Sequence, residues 1–218
     1  MQFRFHKKVR IPVKNKILLE GELGIPLTAT SIVIFSHGRG HERMNAVNRM
    51  FVNYLHQKNI GTLLFDLLTE EEDIHFYNRY DIDVLTKRLI AATEWLEMEP
   101  AAADCRLGYY GVDTGAAAAL KAAAFIPQIG AIVSRSGRPD LAMDIMEDME
   151  IPILLIVGSL DEDGLKYNQE AFNSIIGEKK LERIAGASQT FEEAGSMQKV
   201  CELTSSWFLH HLHPIIQE

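Results

Sequence analysis

Short, almost continuously apolar runs recur along this chain: "SIVIFS" at 31–36, "TLLFDL" at 62–67 and "ILLIVG" at 153–158. Successive side chains of a strand point to opposite faces. A strand with one wet face therefore alternates polar and apolar residues. These runs do not alternate, so both of their faces must be covered, as in a parallel sheet between two helical layers. Strands are expected at 9–13, 17–24, 31–36, 61–67, 106–112, 129–134, 153–157 and 180–184. Between them lie helix-period stretches at 44–58, 83–98, 114–125, 141–149, 165–176 and 196–212. The 44–58 stretch carries Val47, Met50, Phe51, Tyr54 and Leu55 on one face. The 114–125 stretch is rich in alanine, the best helix former. Two N-terminal strands followed by repeated strand–helix units predict an α/β fold, with helices on both faces of a mostly parallel sheet of about eight strands.

A length of 218 residues suits one domain over 1–218, with the N-terminal strands in 1–30 and the strand–helix core in 31–212. A net charge of −8 argues against a nucleic-acid partner, because phosphate binding needs clustered Lys and Arg. The acidic run Glu70-Glu71-Glu72-Asp73 is expected to be a solvated loop. Two cysteines, Cys105 and Cys201, give no disulfide framework and suit a reducing compartment. The opening "MQFRFHKKVR" lacks an apolar leader core, and no run approaches the roughly 20 apolar residues that span a bilayer. A soluble cytoplasmic protein without a membrane partner is the expectation.

In sheets of this type function collects at the carboxyl ends of the strands. After 31–36 comes "SHGRGHER", where a His-Gly opening leaves backbone N–H groups free to meet a carbonyl oxygen. Gly38 and Gly40 permit the backbone shape it needs. After 61–67 comes a polar loop, "LLTEEEDIHFYNRYDID", in which Asp81 is expected to cap the next helix. After 106–112 comes "GVDTG". Its glycines allow a sharp elbow that lifts the central side chain onto a helix start, the place of the serine in G-x-S-x-G. Here that residue is Asp113, which could equally cap the helix. After 129–134 comes "RSGRPD", whose Arg135 and Arg138 are expected to pair with nearby acids rather than hold an anion. After 153–157 comes "GSLDEDG" with Asp161, and after 180–184 comes "AGASQTFEEAG" with Gln189.

Taken in order, "SHGRG", "TLLFDLLTEEE", "GYYGVDTGAAAAL", "VSRSGRPDLA", "LLIVGSLDE" and "ASQTFEEAG" resemble the α/β-hydrolase superfamily, and within it the small dienelactone-hydrolase-like branch. The resemblance runs from about Ser31 to Leu212. It implies the α/β-hydrolase fold without a large cap domain, and a site of elbow nucleophile, acid and histidine in that order. Asp113 then falls at the elbow, Asp161 at the acid and Gln189 at the histidine. His37, Gly38 and Arg39 match the oxyanion loop in kind, and Thr114 supplies the second backbone donor.

Two of the three catalytic positions therefore depart from the pattern. Asp113 has no hydroxyl proton to give up, and Gln189 is no base near neutral pH. Ordinary Ser-His-Asp esterase turnover is expected to be absent or very weak. One alternative is that Asp113 acts as a carboxylate nucleophile, as in dehalogenases and epoxide hydrolases of the superfamily. Another histidine would then have to clear the ester; His37 and His41 lie nearest, His75 sits on another strand-end loop, and His210, His211 and His213 are expected at the surface. A further alternative is a binding or regulatory module that reuses the cleft for a small-molecule ligand or an ester-like substrate. There Asp113 would repel anions unless paired with Arg39 or Arg135. No cofactor is expected. Asp113, Asp161 and the loop histidines fit no standard ligand spacing, so no metal is expected there.

Overall fold

A computed structural model describes residues 1–14, 17–38 and 45–213. Its sheet has eight strands: β1 (Phe3–Pro12), β2 (Leu18–Pro26), β3 (Ser31–His37), β4 (Gly61–Phe65), β5 (Arg106–Val112), β6 (Ile129–Arg135), β7 (Ile153–Gly158) and β8 (Lys179–Ile184). Their spatial order is β1-β2-β4-β3-β5-β6-β7-β8. Strand β2 runs against its neighbours β1 and β4, and every pairing from β4 through β8 is parallel.

The connecting helices are α1 (Ala46–Gln57), α2 (Glu70–Asp73), α3 (Ile82–Glu97), α4 (Thr114–Ala123), α5 (Glu162–Ser174) and α6 (Ser196–His211). They form the two covering layers that the apolar runs require. In β3, Ile32 and Ile34 enter the core built with α3, α4 and α5, while Val33 and Phe35 enter the core built with α1 and α6. In β7, Ile153 and Leu155 face the first core and Leu154 and Ile156 the second. Strands β3, β4 and β7 are buried along their whole length for this reason. Ala116, Ala117, Ala118 and Ala119 are fully buried, so α4 lies close against the sheet. Among the described residues no large cap domain covers the carboxyl end of the sheet. None of the described helices is long and apolar enough to cross a membrane. Cys105 and Cys201 are buried and free.

Three segments depart from the sequence expectation. The polar loop after β4 folds into α2 and a 3₁₀ turn, Phe76–Tyr80. A capping box explains α2: Thr69 accepts from Glu72 N–H, and Glu72 accepts in return from Thr69 N–H at 2.9 Å. Glu72 also pairs with the nearly buried Arg88, and Asp73 with Arg79 at 2.7 Å. The acidic run is thus held by its neighbours rather than fully solvated. The stretch predicted as a helix at 141–149 is 3₁₀ over Pro139–Asp148, broken at Ala142 (φ −133°, ψ 22°). Ala142 and Met146 are buried at helical spacing, and that spacing does not distinguish one α-helix from two tighter turns. Finally, α5 begins at Glu162 rather than 165, because Asp161 caps it. As expected, Asp81 caps α3, accepting from Val84 N–H at 3.0 Å.

Candidate functional site

The turn between β5 and α4 is a strained elbow. Asp113 has φ 52° and ψ −128°, a conformation that non-glycine residues rarely adopt. Both flanking glycines are sterically required. A Cβ on Gly111 would lie 2.4 Å from Ala116 Cα, and one on Gly115 would lie 2.1 Å from the Ser36 carbonyl oxygen. Asp113 occupies the N-cap position of α4 yet makes no side-chain capping bond. Its carbonyl accepts instead from Ala116 N–H at 3.0 Å and Arg138 N–H at 3.1 Å. The helix-cap alternative is thereby corrected: the strained turn presents the carboxylate to a cleft rather than to the helix end.

That cleft has a volume of about 250 Å³ and is bordered by His37, Gly38, Asp113, Arg135, Ser136 and Gln189, among others. They come from the carboxyl ends of β3, β5 and β6 and the loop after β8. Gly38 lies directly against the start of α4, where its Cβ would fall 1.7 Å from Thr114 Oγ1. The loop after β3 and the elbow therefore meet at Gly38 and Thr114. Arg39 and His41 lie outside the described residues.

Asp161 does not border the cleft among the described residues. Its Oδ1 accepts from Gly164 N–H at 3.0 Å, and its Oδ2 is buried without a hydrogen-bond partner. Its loop is nevertheless bound to the one that carries Gln189. Leu160 N–H donates to the Ala187 carbonyl at 2.9 Å, and Gly186 N–H donates to Ser159 Oγ at 2.8 Å. Gly158 makes this approach possible, since a Cβ there would sit 2.3 Å from the carbonyl oxygens of Ala187 and Ser188. The Gln189 residue is exposed, and its main-chain carbonyl accepts from Ser136 Oγ at 2.9 Å.

The electrostatics rest on one cation and one histidine. Arg138 forms a two-point pair with Asp140, at 2.8 and 2.7 Å, as expected from sequence. Arg135 does not follow that expectation. Among the described residues it has no acidic partner; its Nη1 donates toward Met197 Sδ at 3.6 Å, and its Nε is buried without a partner. The end of β6 turns its guanidinium toward Met197 of α6. His37 ends β3 with 2% exposure. Burial, aided by the Arg135 charge, lowers its pKa to about 3, and its Nε2 has no hydrogen-bond partner among the described residues. His75 is exposed and stacks on Tyr77. His210 and His213 are exposed as predicted, but the side chain of His211 is only 8% exposed. It packs on Trp207 at the far end of α6.

Ser136 was not singled out by sequence. It has φ 42°, borders the cleft and anchors Gln189. Its only sequence signal is a small residue at a strand end, which many turns share. A larger hollow of about 730 Å³ lies between the N-terminal strands and α1, bordered by Phe3, His6, Glu22 and His56. None of the predicted site residues borders it.

No family model matches the chain. It is 41% identical to a dienelactone hydrolase from Anabaena variabilis whose crystal structure matches with a TM-score of 0.92, over 98% of this chain and 100% of that one. The chain belongs to the dienelactone hydrolase family. More distant esterases share the fold alone. One from Pyrococcus furiosus is 15% identical with a TM-score of 0.76, over 96% of this chain and 92% of that chain. The esterase domain of a Rhodothermus marinus protein is 15% identical with a TM-score of 0.76, over 97% and 99%. Two Mycobacterium tuberculosis proteins named "Putative phosphoribosyl transferase" are 43% identical over 202 residues, which is 92% of this chain but 45% of theirs. This dienelactone hydrolase family member thus spans less than half the length of those relatives, and their name describes the longer proteins.

Proposed function

We propose that this dienelactone hydrolase family member no longer performs Ser-His-Asp ester hydrolysis and that its cleft binds a small polar molecule. The observation that carries this is Asp113 held in an intact strained elbow while Gln189 stands exposed on the same cleft. A carboxylate at the elbow has no proton to surrender to a base, and an amide does not serve as one. The partnerless Asp161 Oδ2 supports the same view: it is a buried acceptor in a loop bound to the one where the family places its histidine. Such an acceptor costs stability unless a donor meets it.

Use of Asp113 as a nucleophile is disfavoured because no histidine among the described residues is a competent base at the cleft. Clearing an alkyl ester needs a group that takes a proton from water near neutral pH. His37 borders the cleft, but with a pKa of about 3 it is a weak base. His75 is exposed in the segment between α2 and the Phe76–Tyr80 turn, and His210, His211 and His213 lie at the far end of α6. Arg135, a cleft cation without an acidic partner among the described residues, shares the cleft with the carboxylates Asp113 and Glu192, so the lining suits a polar ligand rather than a simple anion. Phosphoribosyl transfer is not proposed, because the relatives bearing that name are matched over less than half their length.

Short-chain nitrophenyl esters test the reading. Turnover is expected at least about 10⁴-fold below an intact serine hydrolase, as when triad groups are removed. Replacing Asp113→Ala is expected to leave that residual rate unchanged. Turnover at an ordinary hydrolase rate that vanishes in Asp113→Ala would overturn it.

A further inference from the structure

The structure assigns a second site, remote from the cleft: we propose that Glu178, His210 and His211 bind a divalent transition-metal ion of the zinc type. One ligand atom from each residue lies within 4.8 Å of the others. The two histidines close the last turn of α6, and Glu178 immediately precedes β8. Because β8 runs parallel to β7, Glu178 stands at the amino end of the sheet, opposite the cleft. An ion there would tie the end of α6 to the start of β8.

His211 supplies the independent observation. Its side chain is 8% exposed, and its Nε2 is buried without a hydrogen-bond partner among the described residues. That nitrogen faces Glu178 Oε1 across 3.6 Å, beyond hydrogen-bond reach. The position is held by packing, since the ring rests on Trp207 with centroids 4.2 Å apart. An imidazole nitrogen facing a carboxylate oxygen places two metal-ligating atoms side by side. The ring of His210 lies 4.7 Å from that of His211, on the exposed side.

The donor set selects the metal class. Two imidazoles and one carboxylate suit zinc and its neighbours, whereas magnesium and calcium prefer oxygen alone. Tetrahedral bonds of about 2.0–2.1 Å put ligand atoms roughly 3.3 Å apart. The 3.6 Å separation already approaches this, and Glu178 and His210, both exposed, are free to close the remainder. The carboxyl end of α6 adds the partial negative charge of its unpaired carbonyls, which also favours a cation.

The test is calorimetric titration of untagged, chelator-stripped full chain with zinc chloride, alongside thermal melting. One saturable site per chain and a raised Tm are expected. Glu178→Gln and His210→Ala change exposed residues, so both variants should fold. Each is expected to weaken binding at least about tenfold, and the double variant should lose both the binding and the Tm shift. Absence of saturable binding in the wild type overturns the site. Unchanged affinity in the double variant overturns it equally, by placing the ion elsewhere.

Discussion

Ser136 Oγ donates to the main-chain carbonyl of Gln189 at 2.9 Å, tying the loop after β6 to the loop after β8 across the cleft. Both partners border the cleft, yet the bond uses the backbone of Gln189 and not its amide. The side chain at position 189 is thus free to be exchanged without loss of the tie.

From this follows a gain-of-function prediction. The double change Asp113→Ser with Gln189→His places a hydroxyl on the strained elbow and an imidazole on the loop bound to that of Asp161. Nitrophenyl acetate hydrolysis should rise about 10²-fold or more above the parent, the usual contribution of a positioned base. Either single change should give far less, because the groups act as a unit. Adding Asp161→Asn should remove most of the gain, since the buried Oδ2 is the group expected to orient the new histidine. A well-folded double variant with parental activity would show that the cleft has drifted from catalytic geometry.

His37 predicts a pH dependence of stability. Its pKa is lowered to about 3 in the folded chain, while the unfolded chain takes up that proton near 6.5. The unfolded state therefore binds more protons between these values, so stability falls as pH drops below about 6.5 and is fully present above it. At roughly 1.4 kcal/mol per pH unit, the loss reaches about 2 kcal/mol by pH 5. His56, lowered to about 4 by burial and by His6, acts in the same direction. Urea unfolding of wild type and His37→Leu between about pH 7.5 and 5 checks this. The variant should show the shallower decline, and parallel curves would mean that the folded imidazole protonates freely.

The elbow glycines predict a contrast in cost. Gly115→Ala drives a methyl group to 2.1 Å from the Ser36 carbonyl oxygen and 2.7 Å from His37 N, main-chain atoms that cannot rotate aside. It should destabilise the chain by about 3 kcal/mol or more, at the upper end for overpacking. Gly186→Ala meets no atom within 4 Å and suffers only from φ +72°. About 1 kcal/mol is expected there. Urea midpoints of the two variants should differ accordingly, and equal midpoints would contradict the close approach of α4 to β3.

Much of this architecture is legible in the sequence because its causes are local. Runs such as "ILLIVG" state that both faces of a strand are covered, and the two cores meet Ile153 and Leu154 on opposite sides as the pleat requires. "GVDTG" announces an elbow because Gly111 and Gly115 remove the two Cβ atoms that would block it. Asp81 and the α3 it caps lie within one turn of each other, so their relation is also visible in sequence. The missed 3₁₀ segment at Pro139–Asp148 shows the limit, since its buried Ala142 and Met146 repeat at the spacing an α-helix would use.

The sequence by itself determined the sheet, the elbow and which residues stand at the strand ends, because each depends on spacing along the chain. Only the tertiary structure decided what those residues can do. It left Arg135 without an acid among the described residues, held His37 neutral by burial, orphaned one oxygen of Asp161 and buried His211 against Trp207 opposite Glu178. Proton affinity and ligand geometry are set by desolvation and by neighbours from distant parts of the chain, and strand–helix order does not specify those neighbours.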